Sequence, residues 1–299
     1  MTSPLLRPLF FLLLTWGAQA RSSASAEDGI VTLRAPATRT VLIGEGSFTM
    51  GSTEEEVARL VEDCKREPIR GITALPPCGP RTFALEREAH EVKLSAYRID
   101  RREVSVADYL RCVEAGRCSM PPYAKGGERF FRPELPVALV TATDAERYCD
   151  FVGGRLPTEA EWERAARGRE GRRYPWGNLF HPALANHGAS LPDRHDDRDG
   201  FLELAPVGSF PQGRTRDGID DLAGNVAEWV ADGFDDDENA LHSPEKAENP
   251  LRRGSPWRVV RGGGFRSPPF MLRGTSRHFV LASTRAPDIG FRCAYDAGD

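Results

Sequence analysis

Glycine and proline punctuate this chain too densely for long regular elements. With 29 glycines and 23 prolines in 299 residues, the expectation is an α+β fold, compact and loop-rich, with short helices and strands rather than a helix bundle. The apolar share of 40% is enough for a real core and argues against wholesale disorder. A formal net charge of −4 argues against nucleic acid as a partner, because phosphate binding needs a basic face. The basic run Arg169-Glu-Gly-Arg-Arg173 reads as a solvated loop.

The first 20 residues read as a secretory signal. Arg7 supplies a weak positive start, Leu9–Trp16 an apolar stretch too short to span a bilayer, and Ala18-Gln-Ala20 a small-x-small cleavage site. Residues 21–39 read as a linker, 40–296 as one folded domain with an excursion at 53–87, and 297–299 as a tail. No membrane span is expected after cleavage, and the expected location is periplasmic or extracellular. In such an oxidising compartment an even count of six cysteines favours disulfides. Proximity suggests Cys64–Cys78 and Cys112–Cys118, which leaves Cys149 with Cys293. Closing that long loop would restrict the unfolded chain by roughly 4–5 kcal/mol in the chain-entropy view. Zinc is the competing use of cysteines, but Cys-x-x-Cys does not occur.

Local patterns predict the elements. Residues 40–52 read as a strand, a turn and a second strand, 55–65 as a short helix, and His90–Asp100 as one half-buried alternating strand. Ser105 caps a helix over 106–115 with Tyr109, Leu110 and Val113 on its buried face. Pro136–Val140 reads as a short buried strand. Thr143-Asp-Ala-Glu146 and Thr158-Glu-Ala-Glu161 read as capping boxes opening two further helices. Trp162, Ala165 and Ala166 share one face of the second. Short strands are expected at 257–261 and 290–294.

Three runs stand in order at wide spacing: Arg155-Leu-Pro-Thr-Glu-Ala-Glu-Trp-Glu163, Gly224-Asn-Val-Ala-Glu-Trp229 and Gly290-Phe-Arg-Cys293. With Tyr174-Pro-Trp-Gly177, they make the chain resemble the sulfatase-modifying-factor family, whose founding member is the formylglycine-generating enzyme. The resemblance covers roughly residues 40–296 and implies that family's compact, C-type-lectin-related fold. It also implies a bridge between Cys149 and Cys293. It further implies two structural calcium sites. One matches Asn186, His187, Asp199 and Phe201; the other matches Asp221, Gly224, Val226 and Glu228, with Asp221 standing for a family Asn. On the residues alone, both stretches are merely oxygen-rich loops of the kind hard cations use.

The family's reaction, oxidation of a substrate cysteine by oxygen, uses copper held by two thiolates. Here Ser267 occupies the position of the first thiolate, and the second falls near Phe270–Leu272, where there is no cysteine. A hydroxyl is not a soft ligand for copper(I), so copper is not expected. Ala227 and Gly264 also depart from the family's aromatic residue and serine. Arg273 and Arg277 match arginines the family keeps and read as ion-pair or carbonyl clamps. Ser267, His278 and Asp288 have the residue types of a hydrolase triad, but Gly-x-Ser-x-Gly is absent. The histidines make neither His-x-His nor His-x3-His.

The leading expectation is therefore a non-catalytic exported module that binds a protein or glycan. Its recognition surface would be the former active-site cleft around Phe265, Ser267, Phe270, Arg273 and Arg277, with Phe279 beside it. The rivals are an oxidase acting on protein cysteine or a small thiol through a rebuilt metal site, and a structural component of the envelope.

Overall fold

The computed structural model describes residues 39–66, 78–86, 89–123, 127–188, 197–234 and 248–298. The expected signal segment lies outside these residues, as does the centre of the 53–87 excursion. Among the described residues no helix is long and apolar enough to cross a membrane.

The chain opens with β1 (Thr40–Ile43) and β2 (Gly46–Met50). The stretch expected as one strand over 90–100 is two, β3 (His90–Leu94) and β4 (Tyr97–Asp100). Both partners bend together: Ile43 faces Tyr97 and Gly46 faces Leu94, so the turn at 44–45 lies opposite the break at 95–96. β1 and β4 continue into an antiparallel sheet with β9 (Ala294–Asp296), while β2 and β3 form a separate pair. A second sheet has the order β7-β6-β5-β8, from β5 (Ala227–Gly233), β6 (Trp257–Arg261), β7 (Arg277–Leu281) and β8 (Ile289–Gly290). β8 runs parallel to β5 and the other pairs are antiparallel. The single strand expected at 290–294 is thus the end of β8 and the start of β9, with Phe291–Cys293 buried between them.

α1 (Glu54–Arg66) opens on Thr53, whose hydroxyl accepts from Glu56 N while Glu56 accepts from Thr53 N. Val57, Leu60, Val61 and Cys64 recur at helical spacing and are buried together with Phe83 of the following 3₁₀ segment (Pro80–Glu86). α2 (Val106–Glu114) has the expected Ser105 cap, and its buried residues are Val106, Tyr109 and Cys112. Leu110 and Val113 only pack against the edge of that core. α3 (Ala142–Phe151) starts one turn-half earlier than expected: its capping box is Thr141 with Asp144, not Thr143 with Glu146. Thr143 therefore lies inside the helix, and Glu146 pairs with Arg258 of β6 instead. α4 (Glu159–Arg167) has the expected Thr158–Glu161 box and is buried on every side, not on one face.

Pro136–Val140 is buried but is not a strand. Leu139 takes a left-handed φ of 60° and bonds to the carbonyl of Ala286, so no ladder continues. Three disulfides join Cys64–Cys78, Cys112–Cys118 and Cys149–Cys293, and there is no free cysteine.

Candidate functional site

The Arg-Leu-Pro-Thr-Glu-Ala-Glu-Trp-Glu run is an anchoring device. Each of its glutamates grips an arginine. Glu159 takes Arg277 at 2.6 and 2.8 Å, Glu161 takes Arg155 at 2.7 and 2.7 Å, and Glu163 takes Arg261 at 2.5 Å and Arg167 at 2.9 Å. Glu228 takes Arg292 in the same fork geometry, at 2.6 and 2.7 Å, and accepts from the Trp162 indole at 2.7 Å. Burial acts to raise the Glu159 carboxyl, but Arg277 and then Arg261 outweigh it and hold it below the usual range. Arg277, expected in a cleft, is thus a tie between β7 and α4. Removing one member of such a buried pair costs about 3–5 kcal/mol, which makes the motif a determinant of fold.

The segment that carries Ser267 is held by its own hydrogen bonds. Ser267 Oγ accepts from Gly264 N at 3.0 Å, Ser267 N donates to Gly264 O, and Gly188 N donates to Ser267 O. The residue holds a tight turn. A Cβ at Gly264 would stand 2.7 Å from the carbonyl of Asp288, so the bare backbone is required there. Phe265 is buried in a cluster with Phe130, Leu135 and Val226. Phe270 packs against the α1 cluster. Arg273, 1% exposed, forks onto Glu86 at 2.5 and 2.6 Å, donates from Nε to Phe270 O, and lies over the Phe83 ring. Burial works against ionised Glu86, yet Arg273 and then Thr275 hold its carboxyl below the usual range.

Of the residues expected to share a cleft, Phe270 packs against the α1 cluster and Arg273 is tied to Glu86 of the 53–87 excursion, while Ser267 and Phe270 stay half-buried. Phe279 lies apart from them, stacked on Phe234 at 3.7 Å. His278 bonds to Ser276 Oγ at 3.2 Å, and burial lowers it to about 4. Ser267 bonds elsewhere, so no triad of Ser267, His278 and Asp288 is assembled.

The two oxygen-rich stretches meet. Asn225 N donates to Asn186 O at 2.9 Å, and a Cβ at Gly224 would stand 2.0 Å from that same carbonyl. Asp199 accepts from His187 N at 2.7 Å and from Phe201 N at 2.9 Å, which brings all four residues of the first set together. Asn186 is 1% exposed; its Nδ2 donates to Glu203 O and Asn225 Oδ1, while its Oδ1 is buried with no hydrogen-bond partner. A buried acceptor of this kind is costly unless something else satisfies it. The first set fits a hard cation on that ground, with Asn186 and Asp199 supplying side-chain oxygens and His187 and Phe201 carbonyls.

The second set is arranged differently. Glu228 is already saturated by Arg292 and Trp162. Asp221, at φ 58°, accepts from Gly208 N at 2.5 Å, and burial pushes its carboxyl up to about 6. Glu103 is a third acid here, and no local pattern in the sequence flags it. It accepts from Asn225 Nδ2 at 2.8 Å and Val226 N at 3.2 Å. Burial, then the charges of Asp221 and Glu228, push it well above the carboxylate range. Asp221 and Glu103, unlike Glu228, have no arginine fork. Among the described residues no group of three or more His, Cys, Asp or Glu side chains is gathered as a metal centre.

Comparison with known proteins places this arrangement. The sulfatase-modifying factor enzyme 1-like domain matches residues 30–297. The chain belongs to this family. It is 39% identical over 167 residues to the inactive C-alpha-formylglycine-generating enzyme 2 of Mus musculus, covering 55% of this chain and 50% of that protein. It is 38% identical over 188 residues to the formylglycine-generating enzyme of Thermomonospora curvata, covering 58% and 60%. It is 31% identical over 262 residues to the hercynine oxygenase of Mycolicibacterium thermoresistibile, covering 73% and 54%. The chain spans about half the length of the curated relatives it matches. Among solved structures, PvdO from Pseudomonas aeruginosa has the same fold, with a TM-score of 0.63 at 24% identity over 86% of this chain and 94% of that one.

Proposed function

We propose that this member of the family is a non-catalytic, exported, calcium-stabilised binding module for a protein or glycan. One observation carries the reading: every cysteine of the chain is tied in a disulfide, and the resemblance implies Ser267 at the position of the family's first copper thiolate. No thiolate is left to hold a soft metal. Two others support it. The chain's own excursion is tied to Arg273 through Glu86, and the family includes a 39% identical relative named as inactive. Calcium would act structurally, satisfying Asn186 Oδ1 and tying the 186–187 and 199–201 loops into one shape. Export accords with the three disulfides and the apolar N-terminal run.

A second reading, an oxidase with a rebuilt metal site, draws on the relatives named formylglycine-generating enzyme and hercynine oxygenase. A Cys-x-Pro-x-Arg peptide assay with and without copper separates the two. No formylglycine under either condition is expected; copper-dependent turnover would overturn the first reading. Calcium is tested by melting with and without chelator. Calcium at 100 times its dissociation constant should add about 2.7 kcal/mol, and Asn186→Leu should abolish the difference.

A further inference from the structure

On the face formed by β4, α2, α3 and β9 lies a cavity of about 640 Å³, lined by Arg101, Arg102, Tyr148, Phe151, Val207 and Tyr295 among others. Its size is in the usual range for small-molecule sites. None of the residues of the Ser267 segment lines it.

Its lining carries four arginines and four acids, and two of those arginines turn to an acid behind the wall. Arg101, Arg102 and Arg214 all converge on one carboxylate, that of Asp220, at 3.5, 3.3 and 2.5 Å. One negative charge therefore faces three guanidinium groups. Arg102 donates only its Nε to Asp220, and Arg101 makes an ion-pair contact there without a hydrogen bond. Their terminal nitrogens bond to nothing in the protein, although the side chains are only 39% and 50% exposed. A Cβ at Gly208 would stand 2.5 Å from Arg102 Nε, so a bare glycine keeps that arginine in place. Nearby, Arg39 and Arg111 share Asp108.

The acids of the lining are accounted for. Asp100 accepts from Cys293 N and the Tyr295 hydroxyl, Glu103 from Asn225 and Val226, and Glu134 pairs with Arg132. Tyr148 stacks on Tyr109 and makes no side-chain hydrogen bond to the protein, so its hydroxyl adds a neutral donor beside the apolar Phe151 and Val207.

We propose that this cavity binds a small organic anion, up to about the size of a disaccharide, whose carboxylate or phosphate is held by Arg101 and Arg102 and whose body lies against Tyr148, Phe151 and Val207. Paired guanidinium groups with free nitrogens are suited to planar or tetrahedral oxyanions. The mixed wall favours an organic ligand over a bare inorganic ion. This deepens the binding reading by naming a ligand class and rests on it.

The test is calorimetry on the full exported chain with three probes: glucuronate, glucose 6-phosphate and glucose. One or both anions should bind at one equivalent, at least about tenfold more tightly than glucose, and Arg101→Gln with Arg102→Gln should weaken them at least about tenfold. Glucuronate alone marks a carboxylate ligand and glucose 6-phosphate alone a phosphate ligand. No saturable binding of either anion below about 10 mM, or equal binding by the double variant, overturns the proposal. Glucose bound as well as the anions and unaffected by the double variant also overturns it, while leaving the binding reading intact. Should the double variant fail to fold, hydrogen exchange on the unmodified chain decides: slowing at 101–108 and 148–152 with the anions supports the site, and no change sinks it. Peptide turnover in the formylglycine assay bears on the non-catalytic reading and leaves the anion measurement standing.

Discussion

Two regions of this molecule use arginine in opposite ways. Around the glutamate-rich run of α4 and the 273–277 stretch, the buried arginines are matched: Arg273 by Glu86, Arg261 by Glu163, Arg277 by Glu159. Beside the cavity on the α2–α3 face, Arg101, Arg102 and Arg214 share the one carboxylate of Asp220, and Arg101 and Arg102 keep free donors. The first pattern is that of a sealed core, where a buried charge must be answered by geometry and a lone member is intolerable. The second is that of a surface awaiting a ligand. The buried arginines near the family motifs hold elements together, and the arginines with free donors lie on another face.

The sharpest way to break this contrast is on the sealed side. Glu86→Ala should strand Arg273 and cost about 3–5 kcal/mol in urea unfolding; a loss below about 1 kcal/mol would mean that this pair ties the excursion only loosely. Cys64→Ala with Cys78→Ala should cost about 3 kcal/mol by the loop-closure view, read from the denaturation midpoint against the same protein under reductant.

A smaller effect is expected from Asp232, a buried acid with no ion-pair contact among the described residues. Burial, with Glu159 beside it, pushes Asp232 up to about 7 from an ordinary 3.8. The fold holds its neutral form, so its contribution is present at low pH and is lost as pH rises from about 4 to about 7. Stability of the wild type minus that of Asp232→Asn should fall across that window by on the order of 2 kcal/mol, measured by unfolding at several pH values; a flat difference would contradict a neutral Asp232. The smallest effect belongs to the open side. Arg101→Gln with Arg102→Gln should shift folding stability by no more than about 0.5 kcal/mol per position, and a large loss would assign these arginines to the core instead.

Much of this architecture is legible along the chain. Capping residues at Ser105 and Thr158 set helix starts because their hydroxyls meet backbone donors within three residues, a strictly local event. The box at Thr141 was misplaced by two residues because Thr-Ala-Thr-Asp offers two threonines to the same pattern. The break between β3 and β4 is invisible in the alternation of residues 90–100, since it is imposed by the partner strands bending opposite it. β5 escapes because it is buried on both faces and so shows no alternation, and β7 because it is part-exposed on both. The oxygen-rich loops could be located from composition and resemblance. Glu103 could not, as it reaches them from 122 residues away. The tie between Glu86 and Arg273 is a contact spanning 187 residues, which no local pattern carries. The same holds for the gathering of Arg101, Arg102 and Arg214 on Asp220.

The bridge from Cys149 to Cys293, at a sequence separation of 144, encloses residues 150–292, which hold α4, the oxygen-rich loops and the whole of the second sheet. Covalently this makes a ring. A protease that clips any single exposed loop inside it opens the ring without shedding a fragment, so the nicked molecule keeps its full mass until a reductant is added.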